Sequence, residues 1–395
     1  MSAPVRSIAV VGAGVAGLAT ALACARAGHR VQVFEQVPVF APVGAGIQLG
    51  PNATRVLHSL GLESALRAVA AFPSELQVRS GTDARLLGVL PLGDRALVRY
   101  GAPYATLARA DLHQLLLTAL EAQSQASLYL GSPIDAAQQD SSAVQFSTAD
   151  GMVRRVEVMA AADGLWSTLR SQVLLDTPPT ATGHVAYRAL LPQADLPEKL
   201  RSAVVTAWLG PRFHAVTYPV RGGAWLNAVV VVHGVGDDAP DSWSQPASAD
   251  AILAGMECAA PLLRDGVQAM GAWQSWTLFD RPPLRSAALM GAGRIALVGD
   301  AAHPMRPYLA QGAGMALEDS WRLASELTRS GANVAQSVHA YANARWQRNA
   351  RVQAHAVRNG EWFHSTGLRA TVRDAAMQTL GMRALDLPWL YGYRP

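Results

Sequence analysis

Two short apolar runs near the start, Ile8 to Val11 and Val31 to Phe34, predict strands, and the alanine-rich stretch between them predicts a helix. Residues 181–284 carry a different pattern. The runs HVAYRALL, AVVTAWL, FHAVTYPV, WLNAVVVVH and SWTLFD are β-rich and separated by turn residues such as GPR and RGG, which predicts an antiparallel sheet. A further apolar strand is expected at Ile295 to Val298, and from about 318 to 380 the chain reads as helical. The acidic pair Glu318-Asp319 suits the first turns of that helical region. Gly234 to Ser248, rich in Gly, Asp, Pro and Ser, reads as a loop. There is no internal repeat, and no uninterrupted apolar run reaches membrane-spanning length. The class implied is α/β, with an antiparallel sheet inserted between segments of strand and helix.

Chemistry enters at the strand ends. Between the first strand and its helix stand Gly12, Gly14, Ala16 and Gly17, and the second strand closes on Glu35, eighteen residues beyond Gly17. In a GxGxxG turn the first glycine permits the tight bend, the second lets backbone approach a pyrophosphate, and the third lets helix and strand pack closely. An acid at the end of the second strand accepts hydrogen bonds from an adenosine ribose. A second signature runs from Gly293 to Asp319: a strand stopped by Gly299-Asp300, a loop with two prolines, then Gly312-Ala313-Gly314 opening a helix. A carboxylate there can hold sugar hydroxyls, and a glycine-rich helix start offers bare N–H groups to an anion. A third apolar run, Met159 to Ala162, closes on Asp163-Gly164 and leads to Arg170.

With Arg109 in RADLHQLLL, these pieces resemble, in order, the flavin-dependent aromatic hydroxylases, single-component monooxygenases with non-covalent FAD that consume NAD(P)H. GAGIQLGPNA (Gly44 to Ala53), YRAL (Tyr187 to Leu190) and WLYGY (Trp389 to Tyr393) are similar to the salicylate, 3-hydroxybenzoate and 6-hydroxynicotinate hydroxylase branch. Departures from the wider family are Arg306 in place of the first proline of a Pro-Pro pair, Leu309 where a glycine is common, and Gly314 where an asparagine is common. The resemblance implies a Rossmann-like FAD-binding domain made of residues 1–75, 100–180 and 285–345. It also implies a substrate-binding sheet domain from 76–99 and 181–284, and a C-terminal helical segment, 346–395. It further implies that Arg109 neutralises diphosphate charge, Asp163 braces the same region, and Asp300 binds the ribityl or diphosphate part. The Gly312, Ala313, Gly314 helix start would then face the flavin N1–C2 edge. Gln48 either faces flavin or substrate, or its loop contributes only backbone.

Bulk properties narrow the class. Half the residues are apolar and 16% are charged, which suits a sizeable core and argues against disorder. The net charge is +4, but Lys199 is the sole lysine and the arginines are scattered. Nucleic-acid binding is therefore not expected. Cys24 and Cys258 are isolated, without metal-ligand spacing, so no metal is expected and the redox context fits a cytoplasm. Cleavage of the signal-like stretch ending at Ala23-Cys24-Ala25 would remove the phosphate loop, so it is read as part of the fold. A monomer or homodimer is expected.

The reaction implied by the resemblance joins a small aromatic substrate and O₂ through a flavin C4a-hydroperoxide. His214 and Tyr218 lie four apart on one predicted strand, so both side chains share a face, where they can serve as base and orienting group for a phenol or hydroxypyridine. His303 is either a third catalytic residue or a structural histidine of its loop. Arg188, Arg212 and Arg306 are the candidate partners of a substrate carboxylate. No second GxGxxG is present, so NAD(P)H has no Rossmann domain of its own. Trp208, Trp225, Trp273 and Trp276 are expected in the sheet core. A halogenase is disfavoured because its lysine is lacking from a suitable place. A flavin oxidase or dehydrogenase, or a non-enzymatic flavin-binding sensor, stay open because flavin motifs alone do not specify oxygen insertion.

Overall fold

A computed structural model of the chain describes residues 4–41, 45–148, 151–174, 177–234 and 245–395. Its first sheet has six strands in the order Gly291–Ala292, Ile295–Leu297, Val158–Ala161, Ser7–Val11, Arg30–Phe34, Ala126–Tyr129. All neighbours pair in parallel except the terminal hairpin at Gly291–Ala292. The glycines of the first turn are set by contact distances. Gly12 has φ +94°, and a Cβ there would stand 2.5 Å from the Ala162 carbonyl oxygen; one on Gly17 would stand 1.8 Å from the Gly12 oxygen. At Gly14, by contrast, a Cβ would meet nothing within 4 Å, so its backbone opens onto free space. The alanine-rich helix Val15–Arg26 packs on this sheet with helix Gly312–Thr328 and joins the largest core, where Leu18, Leu22, Val10, Leu317 and Tyr341 are buried.

The second sheet has eight strands: Gln245–Ala247, Trp273–Asp280, Thr180–Pro192, Trp225–His233, Phe213–Val220, Val205–Gly210, Glu75–Ser80, Leu86–Pro91. It is not wholly antiparallel. Val205–Gly210 pairs in parallel with Glu75–Ser80, because that strand reaches the sheet through a long crossover and no hairpin forces the opposite sense. Of the expected loop 234–248, residues 235–244 lie outside the described residues, and Gln245–Ala247 is an edge strand.

The helical region starts earlier than 318 and is broken. Gly312–Thr328 is followed by a 30-residue helix, Val334–Phe363, and then Gly367–Leu380. The long helix starts at a capping box in which Asn333 and Gln336 each accept the other's backbone N–H.

Glu318 and Asp319 do not serve a helix start. Both are fully buried in the second turn of Gly312–Thr328 and are met by the long helix. Arg345, also without exposure, reaches Glu318 at 2.6 Å and Asp319 at 2.7 Å; Arg348 grips both oxygens of Glu318 at 2.6 and 2.8 Å. Asn349 and His303 complete Asp319, and Asn52 completes Glu318. Burial alone would lower the Arg345 pKa, but the two carboxylates more than reverse it. Removing one member leaves buried charge without its counterpart. Arg345→Met is expected to destabilise the chain by about 3–5 kcal/mol, read from urea unfolding midpoints at constant slope.

Asp319 carries the acid sensitivity. Burial pushes its carboxyl up, yet His303 and Arg345 hold it down to about 2. The folded value is thus below the unfolded one, so its contribution is complete at neutral pH and disappears as pH falls from about 4 toward 2. Thermal unfolding from pH 6 to pH 2.5 is expected to show a steeper fall in midpoint below pH 4 for the parent than for Asp319→Asn.

Candidate active-site cleft

One cleft lies between the two sheets, and its walls come from both. Gly14, Val15 and Ala16 line it from the start of the alanine-rich helix, and Gln311, Gly312 and Ala313 from the start of the helix after the Gly-Asp loop. Neither helix has a side-chain cap or an acid in its first turn. Two sets of unpaired N–H groups, each at the positive end of a helix, therefore face the same space. A Cβ at Gly312 would meet nothing within 4 Å, as at Gly14, so backbone can be approached closely at both points. Arg109, at the first position of helix Arg109–Glu121, lines the cleft as well. This donor set fits a phosphate-bearing cofactor. Asp300 lines the cleft and is exposed to it. Burial there pushes its carboxyl up, against the pull of His303 and Arg109.

The remaining glycines and acids are not among the residues that line this cleft. Gly12 and Gly17 shape the turn, and Gly314 is tucked against Gln311 and Asn52, where a Cβ would meet the Gln311 Oε1 at 2.8 Å. Glu35 accepts the Ala13 N–H at 2.7 Å and the Val37 N–H at 3.0 Å, which ties the second strand's end to the glycine turn. Asp163 accepts the Leu169 N–H at 3.3 Å and lies beside Gly12, and burial raises its pKa.

The other wall is the eight-stranded sheet. Along Phe213–Val220, His214, Val216 and Tyr218 face the cleft, while Ala215 and Thr217 face a second cavity on the sheet's other side. Alternation thus places the His214 and Tyr218 side chains together, as their spacing implies. Burial raises the pKa of the Tyr218 hydroxyl, so it stays protonated at pH 7, and Gln48 and Asn227 lie near enough to oppose part of that rise. Gln48 lines the cleft, and its side chain accepts the Tyr104 hydroxyl at 2.7 Å. Asn227, opposite Tyr218 in the strand register, accepts the Gly46 N–H at 2.6 Å. A Cβ on Gly46 would collide with both residues at 2.6 Å, which explains the glycine there. Burial, with His184 adding to it, lowers the His214 pKa to about 3, so the ring is neutral at pH 7. Its Nδ1 lies 2.7 Å from Nε2 of His364.

Of the three candidate arginines only Arg188 reaches the cleft, with its guanidinium 4.9 Å over the Trp276 ring. Arg306 is turned away by an ion pair with Asp280 at 2.5 Å, although Met305 and Pro307 beside it do line the cleft. Arg212 occupies a left-handed turn position, φ +62°, outside the cleft. His303 has no exposure, and its Nε2 is 2.5 Å from Asp319, so it secures the buried ion network and cannot touch a substrate. Trp208 and Trp273 are core residues and Trp225 packs against a neighbouring cluster, but Trp276 is a cleft wall. Asn227 and Val216 were legible in principle, from strand register and alternation. His364 was not, since nothing local in a helix end signals a partner 150 residues away. No helix among the described residues is long and apolar enough to cross a membrane.

Comparison with known proteins agrees with this geometry. Residues 6–356 match the FAD binding domain family. The chain is 33% identical over 389 residues to the 3-hydroxybenzoate 6-hydroxylase of Polaromonas naphthalenivorans (strain CJ2), covering 98% of this chain and 96% of that protein. It is 36% identical over 352 residues to the 6-hydroxynicotinate 3-monooxygenase of Bordetella bronchiseptica (strain ATCC BAA-588 / NCTC 13252 / RB50), covering 88% and 89%. A solved salicylate hydroxylase in its substrate complex matches with a TM-score of 0.83 at 26% identity, covering 99% of this chain and 96% of that one. The chain thus belongs to the FAD-binding-domain family, among the FAD-dependent aromatic hydroxylases.

Proposed function

We propose that this hydroxylase uses NAD(P)H and O₂ to add one oxygen to a small phenolic or hydroxypyridine carboxylate. The observation that carries the reading is that His214, Tyr218 and Arg188 open into the same cleft as the two uncapped helix starts. One cation and two hydrogen-bonding groups are what a hydroxylated aromatic acid needs, at one end for its carboxylate and at the other for its hydroxyl. The relatives named for 3-hydroxybenzoate and 6-hydroxynicotinate support that substrate class.

FAD would be held by the Gly12 to Gly17 turn and Arg109 at its diphosphate, Glu35 at the adenosine ribose, and Asp300 at the ribityl or diphosphate part. The Gly312–Ala313 helix start would stand at the ring edge where negative charge develops on reduction. When bound and reduced, FAD supplies the electrons that let O₂ deliver one oxygen atom to the ring. The domain division of the cofactor part (1–75, 100–180, 285–345) and the substrate part (76–99, 181–284) is the one this arrangement favours.

The chain's own residues do the rest. Neutral His214 accepts a hydrogen bond from the substrate hydroxyl, which orients it and polarises its O–H bond so that the ring gains electron density. Tyr218, on the same face two positions beyond Val216, orients the same hydroxyl. Val216, Val229, Met305 and Trp276 provide apolar wall that limits water at the reacting carbon.

The direct experiment follows NADH or NADPH oxidation, O₂ uptake and product mass for FAD-loaded protein with a panel of aromatic acids. At least one hydroxylated aromatic or pyridine carboxylate is expected to accelerate reductant loss and gain one oxygen. A compound that reduces the flavin with no nicotinamide present would instead establish an oxidase or dehydrogenase. Arg188→Ala is expected to raise KM for the acid by about 10–100-fold, the loss of one charge-assisted pair, with little change for the same phenol lacking its carboxylate. His214→Asn is expected to lower kcat by about 10²–10⁴-fold while FAD content stays at one per chain.

A further inference from the structure

Behind His214 the chain assembles a cluster that scattered sequence positions concealed. One ring nitrogen each from His184, His233 and His364 lies within 4.8 Å of the other two. His184 and His233 face one another across the antiparallel pair Thr180–Pro192 and Trp225–His233, with ring centroids 4.3 Å apart. His364 ends the long helix, and backbone bonds hold it there. The Arg212 N–H donates to the His364 carbonyl at 3.2 Å, and the His233 N–H donates to the Arg212 carbonyl at 3.0 Å. Two ligands on a sheet and one on a tied helix end make a prearranged set.

We propose that His184, His233 and His364 form a binding site for a late first-row divalent metal, of which Zn²⁺ is the type, and that occupancy switches His214 out of its accepting form. The second half of this proposal rests on the reading of His214 as the substrate's hydrogen-bond acceptor. The first half does not.

The free nitrogens are the right ones. Tyr308 engages Nδ1 of His184 at 2.5 Å, which leaves Nε2 for a metal. His214 engages Nε2 of His364, which leaves Nδ1; that Nδ1 and Nε2 of His233 already approach to 2.9 Å. Metal-binding imidazoles characteristically give their other N–H to a neighbouring acceptor, and Tyr308 and His214 stand where those acceptors are needed. Three imidazoles with a fourth position open to water are a zinc arrangement, and the partial exposure of His233 provides an entrance.

Proton bookkeeping supplies the switch. Without metal, His214 can donate Nδ1–H to His364, and His364 can donate Nδ1–H to His233. The Nε2 of His214 then keeps its lone pair for the substrate. A metal takes the lone pairs of Nδ1 on His364 and Nε2 on His233. The His364 proton must then sit on Nε2 and point at Nδ1 of His214, which forces the His214 proton onto Nε2. Each imidazole keeps one proton, none is released, and the cleft nitrogen becomes a donor.

The test is equilibrium dialysis of FAD-loaded protein against ZnCl₂, paired with ¹⁵N spectra of the histidine rings. One zinc per chain is expected, with affinity at least tenfold weaker in His184→Ala and in His233→Ala, both checked for parental FAD content and melting temperature. Zinc is also expected to move the His214 proton to Nε2 in the ¹⁵N spectrum. It should slow substrate-stimulated NADH oxidation, with EDTA restoring the rate. No stoichiometric zinc, or zinc held equally by both variants, overturns the site. Zinc bound without a change in the His214 spectrum overturns the switch. If no aromatic acid stimulates NADH oxidation, the functional reading fails on its own, and dialysis and spectra still decide this proposal.

Discussion

The structure hangs on a pair of adjacent carboxylates that have no water to face. Glu318 and Asp319 are buried in the second turn of Gly312–Thr328, and two arginines of the next helix hold them. Desolvating four charges is expensive, and their mutual attraction offsets it only while every partner is in place. That condition makes the arrangement specific. Asn52 brings the helix Pro51–Ser59 to Glu318, His303 brings the Gly-Asp loop to Asp319, and the Gly299 N–H meets Asp319 at 3.3 Å. The start of Gly312–Thr328 therefore cannot drift relative to the strand that ends at Leu297. The backbone N–H groups offered to a cofactor are aimed by charges one turn further along the same helix.

The same economy governs the opposite wall. A strand shows alternate residues to opposite sides, so one segment, Phe213–Val220, gives His214, Val216 and Tyr218 to the cleft and its other residues to packing behind. Asn227 stands opposite Tyr218 in the register and holds Gly46, in the small sheet that carries Gln48. Substrate and cofactor walls are thereby joined through a single buried amide.

What the sequence disclosed follows the range of the interaction. The glycine turn, the Gly-Asp loop and the shared face of His214 and Tyr218 are local: each depends on residues within a few positions, where sterics and alternation decide. The parallel pairing of Glu75–Ser80 and the burial of Glu318 and Asp319 depend on segments far away in the chain. An acidic pair near a helix start has a good local explanation in the helix dipole, and the local pattern contains nothing to contradict it. The three arginines illustrate the same limit. Arg188, Arg212 and Arg306 look alike as residues, and only the Asp280 partner of Arg306, the turn conformation of Arg212 and the strand direction at Arg188 separate them.

Positive charge enters the cleft from both of its walls. Burial lowers the pKa of Arg188, and Arg109 is near enough to lower it further. Two helix starts add positive potential of their own. A diphosphate placed at Arg109 would answer only part of that field, because Arg188 stands on the sheet side beside Trp276. On the proposed reading a carboxylate arriving at Arg188 would oppose both effects, and an uncharged phenol neither. Under the proposed function this positive field would favour aromatic acids, with the neutral, buried His214 placed to meet the hydroxyl at the other end of the ring.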